Sequence, residues 1–338
     1  MKNDSENKDF GYPIRILQDF MITWYIYMGL KLGIFDYLKQ KGWSTPEEIS
    51  RDLNLRTRLV NSWCNSMYVE KLLIKEENTF SLTKWAKTHL CKDSKSYIGF
   101  IIYALEYFTV AFEHFESNFK IDEKYTTYTP NQMLNITKNI APVADIITPF
   151  ILNEIKNEIN NSGKQIKMLD IGCGMARYLI NFAKRIPKFK GVGIDIEPLI
   201  IEQAKKNIQK EGFENIIKLR VDSAFNFKLD EKFDLILLSN IIQAFDDTKN
   251  NQLLKNVINH LKSDGKVIII DCLLDRNLKK SKFNVLFDLY LKFESPYAQL
   301  YTLEHLINLC KKVGLKFIKN IHLFFGVDLI IFKGNQNP

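Results

Sequence analysis

The stretch "MLDIGCGMAR", residues 168–177, combines an acid, two glycines and the start of a helix at a spacing that can hold a ligand. Asp170 ends an apolar run typical of a buried strand, and Gly172 and Gly174 form a turn into a helix that begins near Ala176. Glycine permits unusual backbone angles and lets a ligand come close to the main chain. The stretch therefore predicts a strand, a ligand-binding turn and a helix.

Two common nucleotide sites do not fit this turn. The dinucleotide pattern G-x-G-x-x-G requires a glycine where Arg177 stands, and that large side chain would crowd the helix against its strand and obstruct a pyrophosphate. A P-loop is excluded because no Gly-Lys-Ser or Gly-Lys-Thr ends the turn. The ligand must belong to another class.

The sequence from residue 166 onward alternates between strands and helices. Apolar runs such as "FDLILLSN" and "GKVIIID" are separated by helical stretches of about ten residues or more. This pattern predicts an α/β fold with a doubly wound, Rossmann-like parallel sheet that is covered on both faces. Ligands of such folds bind beyond the carboxyl ends of the strands, which is where Asp170 is expected.

The D-x-G-x-G arrangement of Asp170, Gly172 and Gly174 resembles motif I of the class I S-adenosylmethionine-dependent methyltransferases. The resemblance implies that the loop passes close to the amino acid part of the cofactor. Family sequences often carry another glycine where this chain has Ala176, which is a small replacement. We therefore expect S-adenosyl-L-methionine as the cofactor.

Two further acids fall where the resemblance needs them. Asp195 ends the strand "GVGID", about twenty residues beyond the loop, where its paired oxygens can accept hydrogen bonds from vicinal ribose hydroxyls. Asp222 ends the next strand. The resemblance implies that Asp222 accepts from the adenine amino group, with Ser223 beside it and Ile196 against the base.

The strand "FDLILLSN" would bring Ser239 and Asn240 toward the methionine end of the cofactor. Many family members have, after this strand, a histidine that removes the proton of the acceptor hydroxyl. Here the run "SNIIQAFDD" places Gln243 at that position. Glutamine has no lone pair basic enough to take a proton near neutral pH, but it can orient a substrate by hydrogen bonding.

Four explanations of the chemistry stay open. Transfer can proceed by proximity alone, because the sulfonium is already activated. The nucleophile can arrive ionised, or be an amine or a carbon. A few relatives use the cofactor without transferring its methyl group. Another base can come from the helices before the sheet, where the candidates are His114, Tyr103, Tyr107, Glu106 and Glu113.

The remaining histidines and the cysteines do not suggest further chemistry. His260 is expected at a helix end, near the negative end of the dipole, and His305 and His322 have structural interpretations. No histidine or cysteine approaches another at the spacing of metal ligands, so we expect no metal site.

The first part of the chain predicts a winged helix. In "STPEEISRDLNL", Ser44 or Thr45 can cap a helix that starts at Pro46; a second helix, "TRLVNSWCNSMYVEKLL", and a hairpin, "LIKEENTFSLT", follow. A winged helix often binds DNA through its second helix. This one begins with Arg56 and Arg58 but is otherwise mostly apolar, which favours packing or dimerisation over base recognition.

Together these parts resemble the small-molecule O-methyltransferases of secondary metabolism, which are commonly homodimers. We expect an all-helical winged-helix dimerisation domain over residues 1–93, an aromatic-rich helical segment covering an apolar pocket over 94–164, and the S-adenosylmethionine-binding domain over 165–338. The expected reaction is methyl transfer to a small molecule, at oxygen first, with nitrogen, carbon and a non-methylating reaction as alternatives. A DNA-binding regulator that senses the cofactor is the other alternative.

Composition narrows the setting. The chain has 338 residues, 46% of them apolar, and a net charge of +8 that is spread along the sequence, which argues against nucleic acid as a partner. Its five cysteines are far apart, as in a reducing cytoplasm. The polar first residues lack the apolar core of a secretory signal, and the apolar run at 98–110 is broken by Glu106, so we expect no membrane segment.

Overall fold

The computed structural model describes residues 11–94, 96–99, 102, 105–113, 115–121, 128–156, 159, 165–275, 281–324 and 326–334. The chain divides into two compact units, residues 1–106 and 107–338. The finer division predicted at residues 93 and 164 stays a prediction.

Within the described residues of the amino-terminal unit there are five α-helices and one hairpin. The helices are α1 (Gly11–Lys31), α2 (Ile34–Lys41), α3 (Pro46–Asp52), α4 (Thr57–Val69) and α5 (Lys84–His89), and the hairpin pairs β1 (Leu73–Glu76) with β2 (Thr79–Leu82). Helix α3 begins as predicted, because the Thr45 side chain accepts from the Glu48 amide and the Glu48 side chain accepts from Thr45 in return. The hairpin occurs where the sequence predicted it, so the amino-terminal unit is a helical region with one hairpin.

Helix α4 contributes its apolar side to the core of this unit. Trp63 and Met67 are buried, and the Trp63 ring packs edge-on against Phe35 at 5.3 Å between centroids. The Trp63 indole Nε1 donates to the Tyr25 carbonyl over 2.8 Å. The apolar residues that argued against base recognition thus have a packing role.

The carboxy-terminal unit is an α/β sandwich preceded by helices. Helix α6 (Leu105–Glu113) begins at the boundary between the units. The other helices are α7 (Phe115–Phe119), α8 (Pro130–Ile140), α9 (Val143–Glu154), α10 (Arg177–Ala183), α11 (Pro198–Lys210), α12 (Asp247–His260), α13 (Lys282–Glu294) and α14 (Leu303–Lys312). The strands are β3 (Ile166–Ile171), β4 (Phe189–Asp195), β5 (Ile217–Val221), β6 (Phe233–Ser239), β7 (Leu261–Leu274), β8 (Tyr301–Thr302), β9 (Leu315–His322) and β10 (Val327–Gly334).

The main sheet has the strand order β5-β4-β3-β6-β7-β10-β9, and β8 pairs with the end of β7. Strands β3 to β7 are parallel, whereas β10 is antiparallel to both β7 and β9. The order reverses between β4 and β6, on either side of β3, which is the switch point where ligands of such sheets bind. The predicted doubly wound fold is confirmed.

Alternate residues of the strands face two apolar cores. On β7, Val267 and Ile269 belong to one core, and Ile268 and Ile270 belong to the other. Because successive side chains of a strand point to opposite faces, a strand buried on both faces must be apolar throughout. This requirement explains the uninterrupted runs in the sequence and makes the acids at the strand ends stand out.

Among the described residues, no helix combines the length and apolar character needed to cross a membrane. No three His, Cys, Asp or Glu side chains in the described part of the chain lie close enough together to hold a metal ion. All five cysteines are buried thiols.

Candidate cofactor and acceptor site

The turn after β3 folds back onto the end of β4. The amides of Gly172 and Cys173 both donate to the Ile194 carbonyl, over 2.8 and 3.0 Å. Gly172 has φ +69°, and a Cβ there would lie 2.1 Å from Cδ1 of Ile241. Only glycine fits this position without moving Ile241, so the turn requires the residue that the sequence analysis singled out.

The two residues Gly174 and Ala176 of the same turn also have left-handed backbone geometry. Gly174 has φ +52°, and Ala176, at the start of α10, has φ +57°. An alanine in this region carries a steric cost that glycine avoids, which explains why family sequences often have glycine there. A Cβ on Gly174 would lie 2.9 Å from Cγ2 of Thr137, so helix α8 lies directly over the turn.

Asp195 is fixed by the same turn. Its Oδ2 accepts from the Gly174 amide and its Oδ1 from the Glu197 amide, both over 3.1 Å. Burial raises the pKa of Asp195, and these two amides act in the opposite direction. A carboxylate has about four acceptor positions, so lone pairs remain for the two ribose hydroxyls that the sequence analysis assigns to it.

Asp222 lies next to Asp195, because the Asp222 amide donates to the Asp195 carbonyl over 3.0 Å. Its carboxylate accepts from Arg220 over 3.0 Å and from the Ser223 amide over 2.9 Å. Beside them, 72% of the Ile196 surface is exposed, which is unusual for an isoleucine within a sheet domain. The predicted adenine contacts are thus together, although Asp222 already has two partners.

Asp170 is the most deeply buried acid of the predicted set. It is 1% exposed, and its Oδ2 has no hydrogen-bond partner among the described residues. Burial, with a smaller contribution from the nearby Asp195 charge, raises the pKa of Asp170 to about 8. A buried carboxyl oxygen without a partner is costly, so a donor or cation from a ligand would relieve it.

The Arg177 side chain forms an ion pair with an acid on helix α9. Its Nε and one terminal nitrogen donate to the two carboxylate oxygens of Asp145, over 2.7 and 2.8 Å. Asn181 donates to the same carboxylate over 2.8 Å. The expected crowding of α10 against its strand is therefore wrong, because the side chain reaches α9 and ties that helix to α10.

The end of β6 carries the residues expected at the methionine end. Ser239 donates to the Tyr178 hydroxyl over 3.4 Å, and the Asn240 amide donates to the Ile270 carbonyl over 2.8 Å. Asn240 has φ +56°, so the chain turns sharply there into a short 3₁₀ helix, Ile242–Ala244. That turn brings Gln243 to the same edge of the sheet.

Gln243 makes two hydrogen bonds to neighbouring residues and has one side-chain acceptor without a partner among the described residues. Its carbonyl accepts from the Gln299 amide over 2.9 Å, and its Nε2 donates to Asn240 Oδ1 over 3.4 Å. The residue is 5% exposed, and its Oε1 has no hydrogen-bond partner in the described part of the chain. The side chain is therefore suited to accept a hydrogen bond from a ligand.

Asp271 is a candidate that the sequence analysis did not identify. It follows Ile270 on β7, level with Asn240, and its carboxyl faces the backbone amides of Ile242 and Gln243. It is 2% exposed, and neither oxygen has a partner within hydrogen-bonding geometry among the described residues. The signal was present, because "VIIID" places an acid after an apolar run, as the other three site strands do.

Two of the five alternative bases, Glu106 and Glu113, have side chains that the structure describes. His114 and Tyr103 lie outside the described residues, as does the side chain of Tyr107. Glu106 accepts from Tyr27 over 2.6 Å and from Lys31 over 2.9 Å within the amino-terminal unit. Glu113 is exposed on α6.

The remaining histidines make local contacts. His260 ends α12, where its Nε2 accepts from the Leu229 amide over 3.2 Å and its Nδ1 lies 2.9 Å from the Asn256 carbonyl. His260 thus lies at the helix end, as expected, and its ring contacts only its own helix and the loop before β6 among the described residues. His305 pairs with Asp247 over 2.9 Å.

The geometry fits S-adenosylmethionine in three respects. The unpartnered Asp170 oxygen offers a buried negative site for a cationic ligand, and Gly172 and Gly174 give the turn beside it a left-handed backbone without side chains. Asp195 and the exposed Ile196 side chain lie where a ribose and a base would follow. The acids of the site together complement the positive charge of the cofactor.

Comparisons with known proteins identify a methyltransferase domain in this part of the chain. Residues 162–307 match the family model described as a methyltransferase domain. Ribosomal protein L11 methyltransferase of Thermosipho africanus is 35% identical over 111 residues, which are 33% of this chain and 39% of the relative. Probable inactive O-methyltransferase 11 of Dictyostelium discoideum is 31% identical over 173 residues, which are 51% of this chain and 49% of the relative. The chain thus spans less than half the length of these two relatives.

Among solved structures, human N-acetylserotonin methyltransferase in complex with S-adenosylmethionine superposes with a TM-score of 0.81 and 17% identity. The superposition covers 99% of this chain and 100% of the human one, so the likeness in fold extends over both units. The prediction of an S-adenosylmethionine-dependent methyltransferase domain is confirmed. The chain therefore contains a methyltransferase domain and has the fold of human N-acetylserotonin methyltransferase.

Proposed function

We propose that the protein transfers a methyl group from S-adenosylmethionine to a hydroxyl oxygen of a small organic molecule. The observation that carries the proposal is the joint placement of Asp170, the Gly172–Gly174 turn and Asp195 at the carboxyl ends of adjacent strands. When bound, the cofactor supplies an activated methyl group on a sulfonium. The chain must then orient the acceptor and remove its proton.

The residues divide this work by position. Asp195 and Asp222 hold the nucleoside part, and Asp170 stabilises the positive charge from a buried position. Gln243 accepts a hydrogen bond from the acceptor hydroxyl through its unpartnered Oε1 and so aligns the oxygen with the methyl carbon. Alignment of two reactants can supply several kcal/mol of the barrier.

Aromatic side chains of the carboxy-terminal unit support an aromatic acceptor. Phe108 packs edge-on against Tyr290 at 4.7 Å between ring centroids, and Phe112 and Phe119 both pack against Phe293. Phe112 and Phe119 remain 54% and 65% exposed. Exposed rings next to buried ones offer stacking surface to a planar acceptor.

Cofactor binding is the first experiment. Isothermal titration should show S-adenosylmethionine binding that weakens strongly in Asp195→Ala. Asp234→Ala is the matched control, because Asp234 bonds Lys167 and Lys262 at the opposite end of the sheet. Unchanged affinity in Asp195→Ala would contradict the site.

Methyl transfer is the second experiment. S-adenosylmethionine with a deuterated methyl group should be incubated with a panel of phenols and hydroxylated polycyclic compounds, and products should be identified by mass spectrometry. A product that gains the labelled methyl on oxygen supports the proposal. Labelling on nitrogen or carbon would correct the acceptor atom.

A second candidate function is a reaction that uses the cofactor without methylation. Gln243 favours it, because the position lacks the base that hydroxyl methylation commonly uses. The two reactions differ in their product, since methyl transfer releases S-adenosylhomocysteine. Turnover without release of that product would identify the second function.

We also propose a homodimer formed through α1. This helix exposes a run of large apolar side chains, with 53% to 61% of each surface accessible, at Tyr12, Ile14, Ile16, Leu17 and Phe20. Apolar surface of this kind marks a protein interface. Light scattering should give twice the chain mass, and Leu17→Glu with Phe20→Glu should halve it, whereas Ile318→Glu on β9 should not.

A further inference from the structure

Strand β10 places a second buried acid beside Asp271. The two strands are antiparallel, and Asp328 is the direct partner of Asp271 in their register. Asp271 is 2% exposed and Asp328 is 6% exposed. Direct partners point to the same face, with Cβ atoms about 5 Å apart. Two negative charges this close in a buried setting repel, which favours protonation of one of the two carboxyls.

Asp328 connects this pair to the surface. Its Oδ2 lies 3.5 Å from Nδ1 of His322, and its Oδ1 accepts from Asn320 over 2.9 Å. The side chain of His322 is 65% exposed. The exposed His322 ring thus lies next to the buried Asp328 carboxyl.

At its other end the pair adjoins the acceptor site. The carboxyl of Asp271 faces the Gln243 amide, and the Gln243 side chain has an unpartnered acceptor at the same edge of the sheet. The other titratable groups near Asp271 are Tyr178 on α10, whose pKa the Asp271 charge helps to raise, and the buried thiol of Cys272. Burial raises the pKa of Tyr178 and of Cys272, so both stay protonated near neutral pH and neither can accept a proton.

We propose that Asp271 receives the proton that methyl transfer displaces from the acceptor hydroxyl, and that Asp328 and His322 carry it to solvent. The inference rests on the proposed function. The acceptor oxygen bonds to the methyl carbon while the carbon–sulfur bond breaks, with its electrons remaining on sulfur. The O–H bond breaks, its electrons stay on oxygen, and the proton bonds to a carboxylate oxygen of Asp271.

The pair can accept this proton because one of its two carboxyls is already ionised. Taking up a second proton makes the pair release one to His322, and His322 releases it to water. Burial raises the pKa of Asp271 well above that of an exposed aspartate, which brings its basicity toward that of a useful general base. Asp271 would therefore supply the proton acceptor that Gln243 cannot.

The first test follows the histidine ring signals by NMR while pH is varied. In Asp271→Asn the like charge beside Asp328 is gone, Asp328 is fully ionised, and the pH midpoint of the His322 signals should rise by roughly half a unit or more. His305, paired with Asp247, is the internal control and should not change. An unchanged pH midpoint of the His322 signals in Asp271→Asn would overturn the proposed proton route.

The second test is kinetic and uses the phenol that the labelled-methyl panel identifies. Asp271→Asn should lower kcat about 100-fold or more while the Kd of S-adenosylmethionine is unchanged. His322→Gln, a surface change that spares folding, should lose turnover in dilute buffer and regain it with added imidazole. His305→Gln is the matched control and should respond like the unchanged protein.

The two tests separate the two claims. If no acceptor is methylated, the proposed function fails, and the NMR midpoint still decides whether Asp271 and His322 are linked. If methylation proceeds and Asp271→Asn keeps its kcat, the proposed function stands and Asp271 is not the proton acceptor.

Discussion

Asp170 should make cofactor binding depend on pH. With a pKa of about 8 in the free protein, the carboxyl is mainly protonated at pH 6, where the ionised fraction is about 1%. A cationic ligand binds the ionised form better. The apparent Kd should therefore improve about tenfold for each pH unit up to pH 8, because affinity scales with the competent fraction.

The perturbation that isolates this effect is Asp170→Asn, which stays neutral at every pH. Isothermal titration of both proteins between pH 6 and pH 9 gives a ratio of Kd values in which the titration of the cofactor's own amine cancels. The ratio should be near one at pH 6 and grow to about 100-fold above pH 8. At pH 7, titrations in buffers of different ionisation enthalpy should reveal close to one proton released. A ratio that does not change with pH would refute the reasoning.

Three further outcomes follow from the same geometry. Asp170→Asn should stabilise the free protein above pH 8 by on the order of 5 kcal/mol and have no such effect at pH 3. The reason is that ionisation of a carboxyl with a raised pKa destabilises the folded state. Thermal unfolding at both pH values checks this difference. Gly172→Ala and Gly212→Ala should each lower the free energy of unfolding by about 1 to 2 kcal/mol, because both glycines have positive φ. Only Gly172→Ala should also weaken cofactor binding, about tenfold by titration, because its Cβ displaces Ile241. Arg177→Met should lower stability by about 1 kcal/mol in a denaturant titration and leave the cofactor Kd within about twofold, and a large loss of affinity would return Arg177 to the cofactor site.

The sheet and the cofactor turn could be predicted because their signals are local. Strands buried on both faces need continuous apolar runs, and a left-handed turn needs glycine at Gly172, so both are visible in short stretches of sequence. The strand-end positions of Asp195 and Asp222 follow from the parallel topology, which brings successive carboxyl ends to one edge.

Contacts between residues that lie far apart in the sequence could not be predicted. The turn of Arg177 toward Asp145 depends on how α9 packs against α10, and no spacing rule relates the two residues. The meeting of Asp271 and Asp328 depends on the register of two antiparallel strands joined through α13, β8, α14 and β9. Such pairings set the electrostatics of the site, and they appear only once the chain is folded.

A crystal structure with S-adenosylmethionine is the most direct test of the central claim. We predict electron density for the cofactor over the Gly172–Gly174 turn, with its ribose hydroxyls on the Asp195 carboxylate and the Arg177–Asp145 pair intact. A turn that stays empty at saturating cofactor, or a nucleoside bound elsewhere, would contradict the account.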